Sequence, residues 1–419
     1  NLVDTMIVGQ FLGVDALAAV GATGSINFLI IGFCNGVCSG FALPVAHRFG
    51  AKDYKTLRKL YANSIWLSVI FAVVMTALTV IFCRPILTLM RTPANIFEYS
   101  YQYILIIFIG IPATYLFNLT SGMIRALGNS RAPLIILVIS SFLNVILDLV
   151  FILNFNMGVA GAAAATVLSQ VVSGIICVTY IRKKVGMLQL SKDEWRMEKR
   201  EMAELFNAGV PMGLQYSITA IGSVILQSAV NTLGSDAVAS VTAASKISMF
   251  IVCPFDSMGA TMATYGGQNA GGYKLDRLHK GLGSCIILGA VYSVIGLLII
   301  AAFGPHLLKL FVSGSETGIL ADAQHFLLIN GLFYFPLALV NIVRFMIQGM
   351  GFGFFAIIAG VLEMAARTLV GAVFVPIFGY NAACFASPLA WIFADCFLIP
   401  AYFVVWNRMK RHKEAYRQV

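Results

Sequence analysis

From Ala132 to Asn154 the chain reads APLIILVISSFLNVILDLVFILN. These 23 residues hold one carboxylate and no base. As a helix rising 1.5 Å per residue they are long enough to cross the roughly 30 Å hydrocarbon core of a bilayer. Ser141, Asn144 and Asp148 fall at i, i+3 and i+7, which gathers them on one helix face while Leu137, Val138 and Ile146 cover others. A charge in lipid is costly, so the face carrying Asp148 must look into protein or water.

Runs of the same kind recur along the whole chain. They predict spans near residues 1–10, 17–46, 60–82, 99–127, 132–154 and 158–181, and then near 207–232, 237–266, 280–303, 322–350, 354–376 and 382–406. The composition agrees: 59% hydrophobic and 11% charged, where an average soluble chain carries roughly 25% charged residues, with a mean hydropathy of +0.87. Twelve spans in 419 residues leave almost nothing for a soluble domain, which excludes nucleic-acid binding, metabolic catalysis and secretion. The expected fold is an all-α integral membrane protein lying in the lipid bilayer. Asn1 stands where Met is expected and Leu2 to Val8 already reads as mid-membrane helix, so the first span is expected to be truncated.

The net charge of +10 reports topology. Five cations lie between Arg48 and Lys59, seven between Arg182 and Arg200, three between Lys274 and Lys280, and five from Arg408 onward. The intervening connections hold only Arg84, Arg91 and Lys309. The positive-inside rule then places the basic loops and both termini in the cytoplasm of a plasma-membrane protein. The eight cysteines lie in or beside apolar helices without a C-x-x-C pair, so neither disulfides nor structural zinc are expected.

The two sets of six spans resemble each other. Leu12-Gly13-Val14-Asp15-Ala16 lies over Leu233-Gly234-Ser235-Asp236-Ala237 at a shift of 221, and Asn118, Met123, Ile124 and Gly128 lie over Asn341, Met346, Ile347 and Gly351 at a shift of 223. An even number of helices in each half implies parallel repeats: two six-helix lobes around a central cleft, the arrangement in which transporters bind substrate between halves. The lobes are expected at 1–190 and 207–419. Between them, residues 191–206 form an amphipathic cytoplasmic linker whose Ser191 and Glu194 stand at capping-box spacing and whose Trp195, Met202 and Leu205 suggest an interfacial helix. Pro112 and Pro336 occupy near-equivalent positions and predict kinks in the fourth and tenth spans.

Several polar side chains inside spans ask for a role. Thr166, Ser169, Gln170 and Ser173 repeat the polar stripe of the fifth span on the sixth, and Asp4 adds a further acid. Oxygen-only ligands suit a hard cation such as Na+, and a buried carboxylate can carry a proton instead. Gln215, Thr219, Ser223, Gln227 and Asn231 form a stripe on the seventh span, and Asn118, Ser121 and Arg125 share a face of the fourth; both are expected to face the cleft, with Asn341, Arg344 and Asp256 as further cleft candidates. Glu363 precedes Arg367 by four residues, the favoured order for a helical ion pair. Lys246, Asp256, Arg344 and Asp395 either pair across helices or line the cavity.

The chain also resembles the multidrug and toxic compound extrusion (MATE) transporters over essentially its whole length. The resemblance rests on Val3-Asp4-Thr5 with Gly9, on Ala16-Leu17-Ala18-Ala19-Val20-Gly21, on Arg125-Ala126-Leu127-Gly128-Asn129-Ser130-Arg131-Ala132-Pro133, and on Gly267-Gln268-Asn269-Ala270-Gly271. It implies a non-enzymatic antiporter, functional as a monomer, that exports organic cations in exchange for Na+ or H+. In the DinF-like branch the coupling site uses an Asp on helix 1, an Asn and an Asp four apart on helix 5 and a Thr on helix 6; Asp4, Asn144, Asp148 and Thr166 match. The NorM-like branch uses a Glu on helix 7 and an Asp on helix 10, where this chain offers Gln215, Gln227, Asn231 and Asn341. A lipid-linked oligosaccharide flippase is the alternative transporter, and a membrane-embedded enzyme the more distant one.

Overall fold

The structure, a computed structural model, describes residues 2–90, 92–310 and 316–417; Asn1, Arg91, residues 311–315 and residues 418–419 lie outside it. Its described residues are helical apart from short connections, as lipid requires: without water in the bilayer core, each backbone N–H and C=O needs a partner within its own segment. The first seven helices are α1 (Leu2–Leu12), α2 (Val14–Ala22), α3 (Gly24–Gly50), α4 (Tyr54–Ile81), α5 (Cys83–Leu89), α6 (Phe97–Ile109) and α7 (Ile111–Ala126). They are followed by α8 (Arg131–Leu149), which runs into a π-helical turn at Val150–Asn154, and by α9 (Gly158–Lys184). Two short 3-10 turns, Gly186–Leu188 and Lys192–Trp195, lead to α10 (Lys199–Asn231). The second half comprises α11 (Ser235–Gly271), α12 (Leu275–Leu308), α13 (Thr317–Leu332), α14 (Tyr334–Gly349), α15 (Gly353–Leu369) with a π turn at Val370–Phe374, α16 (Val375–Phe378) and α17 (Tyr380–Arg417).

Among the described residues nine helices are long and apolar enough to cross a bilayer, and two bent pairs, α6 with α7 and α13 with α14, raise the number to eleven. With the 11-residue α1 preceding them, the chain is a multi-pass membrane protein of eleven to twelve spans. The bends of 45° and 50° lie at Gly110 and Phe333, just ahead of Pro112 and Pro336. A proline removes one N–H and crowds the preceding turn, so both kinks have the cause that the sequence suggested.

Two boundaries differ from expectation. The second span starts at Val14 rather than near residue 17 and is interrupted at Thr23, where the poor helix formers Gly21 and Gly24 flank the break. The segment read as an interfacial helix over 191–205 is a 3-10 turn followed from Lys199 by α10, whose charged first turns hid the start of a 33-residue helix. The capping box itself is present: Glu194 Oε2 accepts a hydrogen bond from the Ser191 backbone N–H at 2.9 Å.

The chain divides into two compact units, Asn1–Ser217 and Ile218–Val419, and the division falls inside α10. The first unit has a large apolar core, to which Phe41, Leu60, Phe108, Met123 and Leu205 belong, and a smaller cluster of Ile7, Val8, Ala16, Ile152, Val159 and Ala162. Within it, α3 and the start of α10 cross at a seam of small residues. A Cβ on Gly36 would stand 2.6 Å from the Met212 carbonyl oxygen, so only glycine lets the two backbones come this near. The second unit packs Phe255, Leu278, Tyr334, Met346 and Leu398 into one core.

The internal repeat is visible in the backbone. Left-handed or extended positive-φ conformations occur at Gly13 and Gly234 (φ 87° and 100°), Lys52 and Tyr273 (61° and 50°), Gly128 and Gly351 (88° and 95°), and Gly158 and Gly379 (60° and 62°). The spacing is 221 residues in three of these pairs and 223 in the third pair named, the shifts found by matching side chains. The two π turns recur in the same fashion, at Val150–Asn154 and Val370–Phe374.

Candidate functional site

α1 packs against α8 and α9, and this brings Asp4 and Asp148 together: both side chains are buried, and the Asp4 carboxyl is the near neighbour of Asp148. Among the described residues neither oxygen of Asp148 has a neutral N–H or O–H donor in hydrogen-bonding range. The small apolar cluster around Ile7, Ile152 and Val159 keeps bulk water from the pair. Two ionised carboxyls held this close in an apolar setting repel one another, and one proton or one small cation between them removes that repulsion. The π turn at Val150–Asn154 begins two residues after Asp148, and wide turns of this kind are frequent at functional sites.

Tyr103, on α6, packs on the same cluster and lies near enough to both carboxyls to feel their charge. The sequence pattern does not single it out. It is one of several tyrosines in an apolar helix, and only the packing of α6 on α2 and α9 marks it out.

The other expected members of this pocket occupy neighbouring positions. Asn144 stands one turn before Asp148 on α8, half-buried, with its Nδ2 lacking a hydrogen-bond partner. Thr166 lies on α9 and donates to the Ala162 carbonyl at 3.1 Å, so its hydroxyl is engaged with its own helix. The polar stripes of α8 and α9 meet through Ser140, whose hydroxyl donates to the Ser169 carbonyl at 3.3 Å, while Ser141 is exposed and turns back to Leu137. Gln170 accepts from Thr114 on α7 at 2.8 Å. Asn118 donates to the Thr114 carbonyl at 2.9 Å, and Gln215 is buried.

In the second unit the ionisable side chains form a different arrangement. Glu363 on α15 is paired with Arg344 on α14 through Oε1 and with Arg367, one turn along its own helix, through Oε2 at 3.4 Å. All three are buried, and Asp395 on α17, also buried, lies within electrostatic range of Arg344. The expected Glu363–Arg367 pair is therefore one side of a bridge that Arg344 completes. Arg344, expected as a cleft residue, is held by Glu363; Asn341, one turn before it, is buried as well. Thr219 is half-buried, Gln227 donates to Asn231 at 2.9 Å, and Asp256 and Lys246 are exposed and make no ion pair among the described residues. No group of three or more His, Cys, Asp or Glu residues able to hold a metal ion occurs among the described residues, and all eight cysteines are free thiols.

Many helical spans, an internal repeat and acids buried inside helical spans describe a membrane transporter. The MatE family model matches residues 1–150 and 211–377. The probable multidrug resistance protein YoeA of Bacillus subtilis is 30% identical over 324 residues, covering 76% of this chain and 70% of that protein. The probable multidrug resistance protein YpnP of the same organism is 28% identical over 352 residues, covering 82% and 76%. Among solved structures, the outward-facing conformation of a multidrug resistance MATE family transporter of the MOP superfamily superposes with a TM-score of 0.91 at 23% identity, over 98% of this chain and 91% of the other. A MATE crystal structure in the bent conformation gives 0.89 at 23% identity over 99% and 92%. The chain belongs to the MATE family of membrane transporters, a family of transporters and not of enzymes, so the embedded-enzyme reading falls away.

Proposed function

We propose that this protein is a multidrug efflux antiporter that exports organic cations in exchange for Na+ or H+, with the coupling ion taken up at Asp4 and Asp148 and with Asn144 and Thr166 as the neighbouring oxygen donors of a DinF-like site. The observation that carries the reading is the facing pair of buried carboxyls. Such a pair is stable in one protonation or ion-occupancy state and strained in another. An ion arriving there therefore changes the energy of the helices that hold the pair. The relatives' names, which speak of multidrug resistance, support the substrate class.

The energetics suffice. One monovalent cation entering down a 100 mV inside-negative potential releases about 2.3 kcal/mol, equivalent to somewhat under two decades of concentration ratio at about 1.4 kcal/mol per decade. Alternating access couples the two fluxes because one site state serves the ion and the other the drug. The flippase reading needs unneutralised cations for a pyrophosphate, and Glu363 lies against both Arg344 and Arg367.

The test is reconstitution into liposomes, with a Na+ gradient and a pH gradient imposed separately while the efflux of a fluorescent organic cation is followed. Efflux should respond to at least one gradient. A protein that answers neither gradient is not this antiporter.

A further inference from the structure

The first unit holds a cavity of about 780 Å³ that the acid pair does not touch. It lies among α4, α7 and α9 beside Pro112, with Ala72, Leu119 and Ile181 among its apolar surfaces. One wall is not a spanning helix: Leu188, Gln189 and Trp195, from the segment connecting α9 to α10, close that side.

Beside these apolar surfaces the lining carries the polar side chains Ser68, Thr120, Arg182 and Gln189. Ser68, on α4, is buried and its Oγ has no hydrogen-bond partner among the described residues. At the mouth stands Arg182 in the last turn of α9, exposed and without an ion pair among the described residues; a second hollow beside it is lined by Thr179, Arg182 and Lys183. Trp195 shares the rim, its ring 6.4 Å from that of Trp66, whose indole N–H donates to the Trp195 carbonyl at 3.0 Å. Tryptophan beside basic side chains is the signature of the membrane–water boundary. No Asp or Glu lines the cavity, so an organic cation would find no counter-charge there.

An apolar slot with a basic, aromatic mouth fits one common membrane molecule. We propose that this cavity binds an anionic glycerophospholipid of the bilayer, with an acyl chain between α4 and α7 and its phosphate against Arg182. The chain leaves one apolar surrounding for another, so selectivity must come from the headgroup; a single basic contact at a membrane surface corresponds to about fivefold, or about 1 kcal/mol. The bound lipid also braces the connector. That segment is already fastened to α4 by Arg58 to Glu194 at 2.6 Å, Lys59 to Glu198 at 2.7 Å, and the Glu198 backbone N–H to Asn63 Oδ1 at 3.0 Å. Lipid against Leu188 and Trp195 fills the space behind this fastening.

The test uses the full chain, delipidated in detergent and titrated with an equimolar mixture of dioleoylphosphatidylglycerol and dioleoylphosphatidylcholine, with retained lipids counted by native mass spectrometry. The wild-type protein should keep one phosphatidylglycerol at least about fivefold over phosphatidylcholine. Arg182→Gln should erase the preference, and Ala72→Phe, which fills the slot, should release the retained lipid of either kind. Lys280→Gln, a basic residue of the second unit, and Asp148→Asn should leave retention unchanged, which separates this site from the coupling pocket. Equal retention of the two lipids by the wild type, or an equal loss in Arg182→Gln and Lys280→Gln, would overturn the proposal. Displacement of the lipid by inorganic phosphate alone would do the same, by assigning the site to a free anion.

Discussion

Each unit buries an acid in its fifth span, and the two acids live in opposite surroundings. Asp148 on α8 faces another carboxyl, Asp4; Glu363 on α15 lies between two guanidiniums. The helices are counterparts in the repeat, down to the π turn that follows each. The difference lies in what completes the charge balance. In the second unit the balancing cations are covalently part of the protein, and in the first, on the function proposed above, they come from solution. The same scaffold thus serves, on this reading, as a fixed strut on one side and an exchangeable ion seat on the other.

The contrast is broken most directly by neutralising each acid in turn. Asp148→Asn removes a repulsive pair and should leave folding and expression intact while gradient-driven efflux drops to the background of empty liposomes. Glu363→Gln strands two buried arginines, and breaking a buried ion pair by removing one partner costs about 3–5 kcal/mol, so the main effect should be a lowered thermal midpoint and poor yield. Should Asp148→Asn destabilise more than Glu363→Gln, or retain normal coupled efflux, the assignment of roles would be reversed.

A smaller effect tests the symmetry of the scaffold itself. Gly13 (φ 87°, ψ −175°) and Gly234 (φ 100°, ψ 174°) occupy a region that is essentially glycine's alone, and a Cβ at either would meet nothing within 4 Å. The strain is therefore purely that of the backbone, about 1–3 kcal/mol for such conformations. Gly13→Ala and Gly234→Ala should lower stability by similar amounts in a thermal-shift measurement; a cost confined to one of them would mean that the repeat is not mechanically equivalent at this corner.

The mildest perturbation is of pH at the connector. Lys59 donates to Glu198 and holds its carboxyl below the ordinary value; Glu194, though partly desolvated, is also lowered, by Arg58 and the Ser191 backbone. A carboxyl with a lowered folded-state value contributes its stability above the ordinary carboxylate range and loses it as pH falls through the lowered value. Acidification below about pH 4.5 should loosen the segment and change the fluorescence of the Trp66–Trp195 pair, while neutral to mildly alkaline pH should leave it unaltered. A quenching change that survives Trp195→Phe would come from elsewhere in the chain.

Much of the fold was legible because lipid leaves so little choice: a run such as Ala132–Asn154 can only be a span, and Pro112 and Pro336 can only disturb the helices that contain them. Boundaries were harder where helices leave the apolar zone. The first turns of α10 are charged, and hydropathy alone stops short of them. The site was readable in part. Burial cost singled out Asp4 and Asp148, and family resemblance assembled them with Asn144 and Thr166. Tyr103 stayed hidden because its helix is rich in aromatics; Arg344 was in view as a cleft or pairing candidate, but its partner was not, because an i, i+4 partner for Glu363 already stood at Arg367. Contacts across helices depend on rotation about each helix axis, which a stripe of polar residues constrains only to within a face.

The positive-φ corners that the halves share have a historical consequence. Side chains along the two six-span stretches have diverged until only scattered identities survive, yet the chain still turns at matching points. A corner tolerates few residue types, whereas a lipid-facing wall tolerates many. In a duplicated membrane protein the hinges of the drawing outlast its colours, and ancestry is best sought in backbone angles.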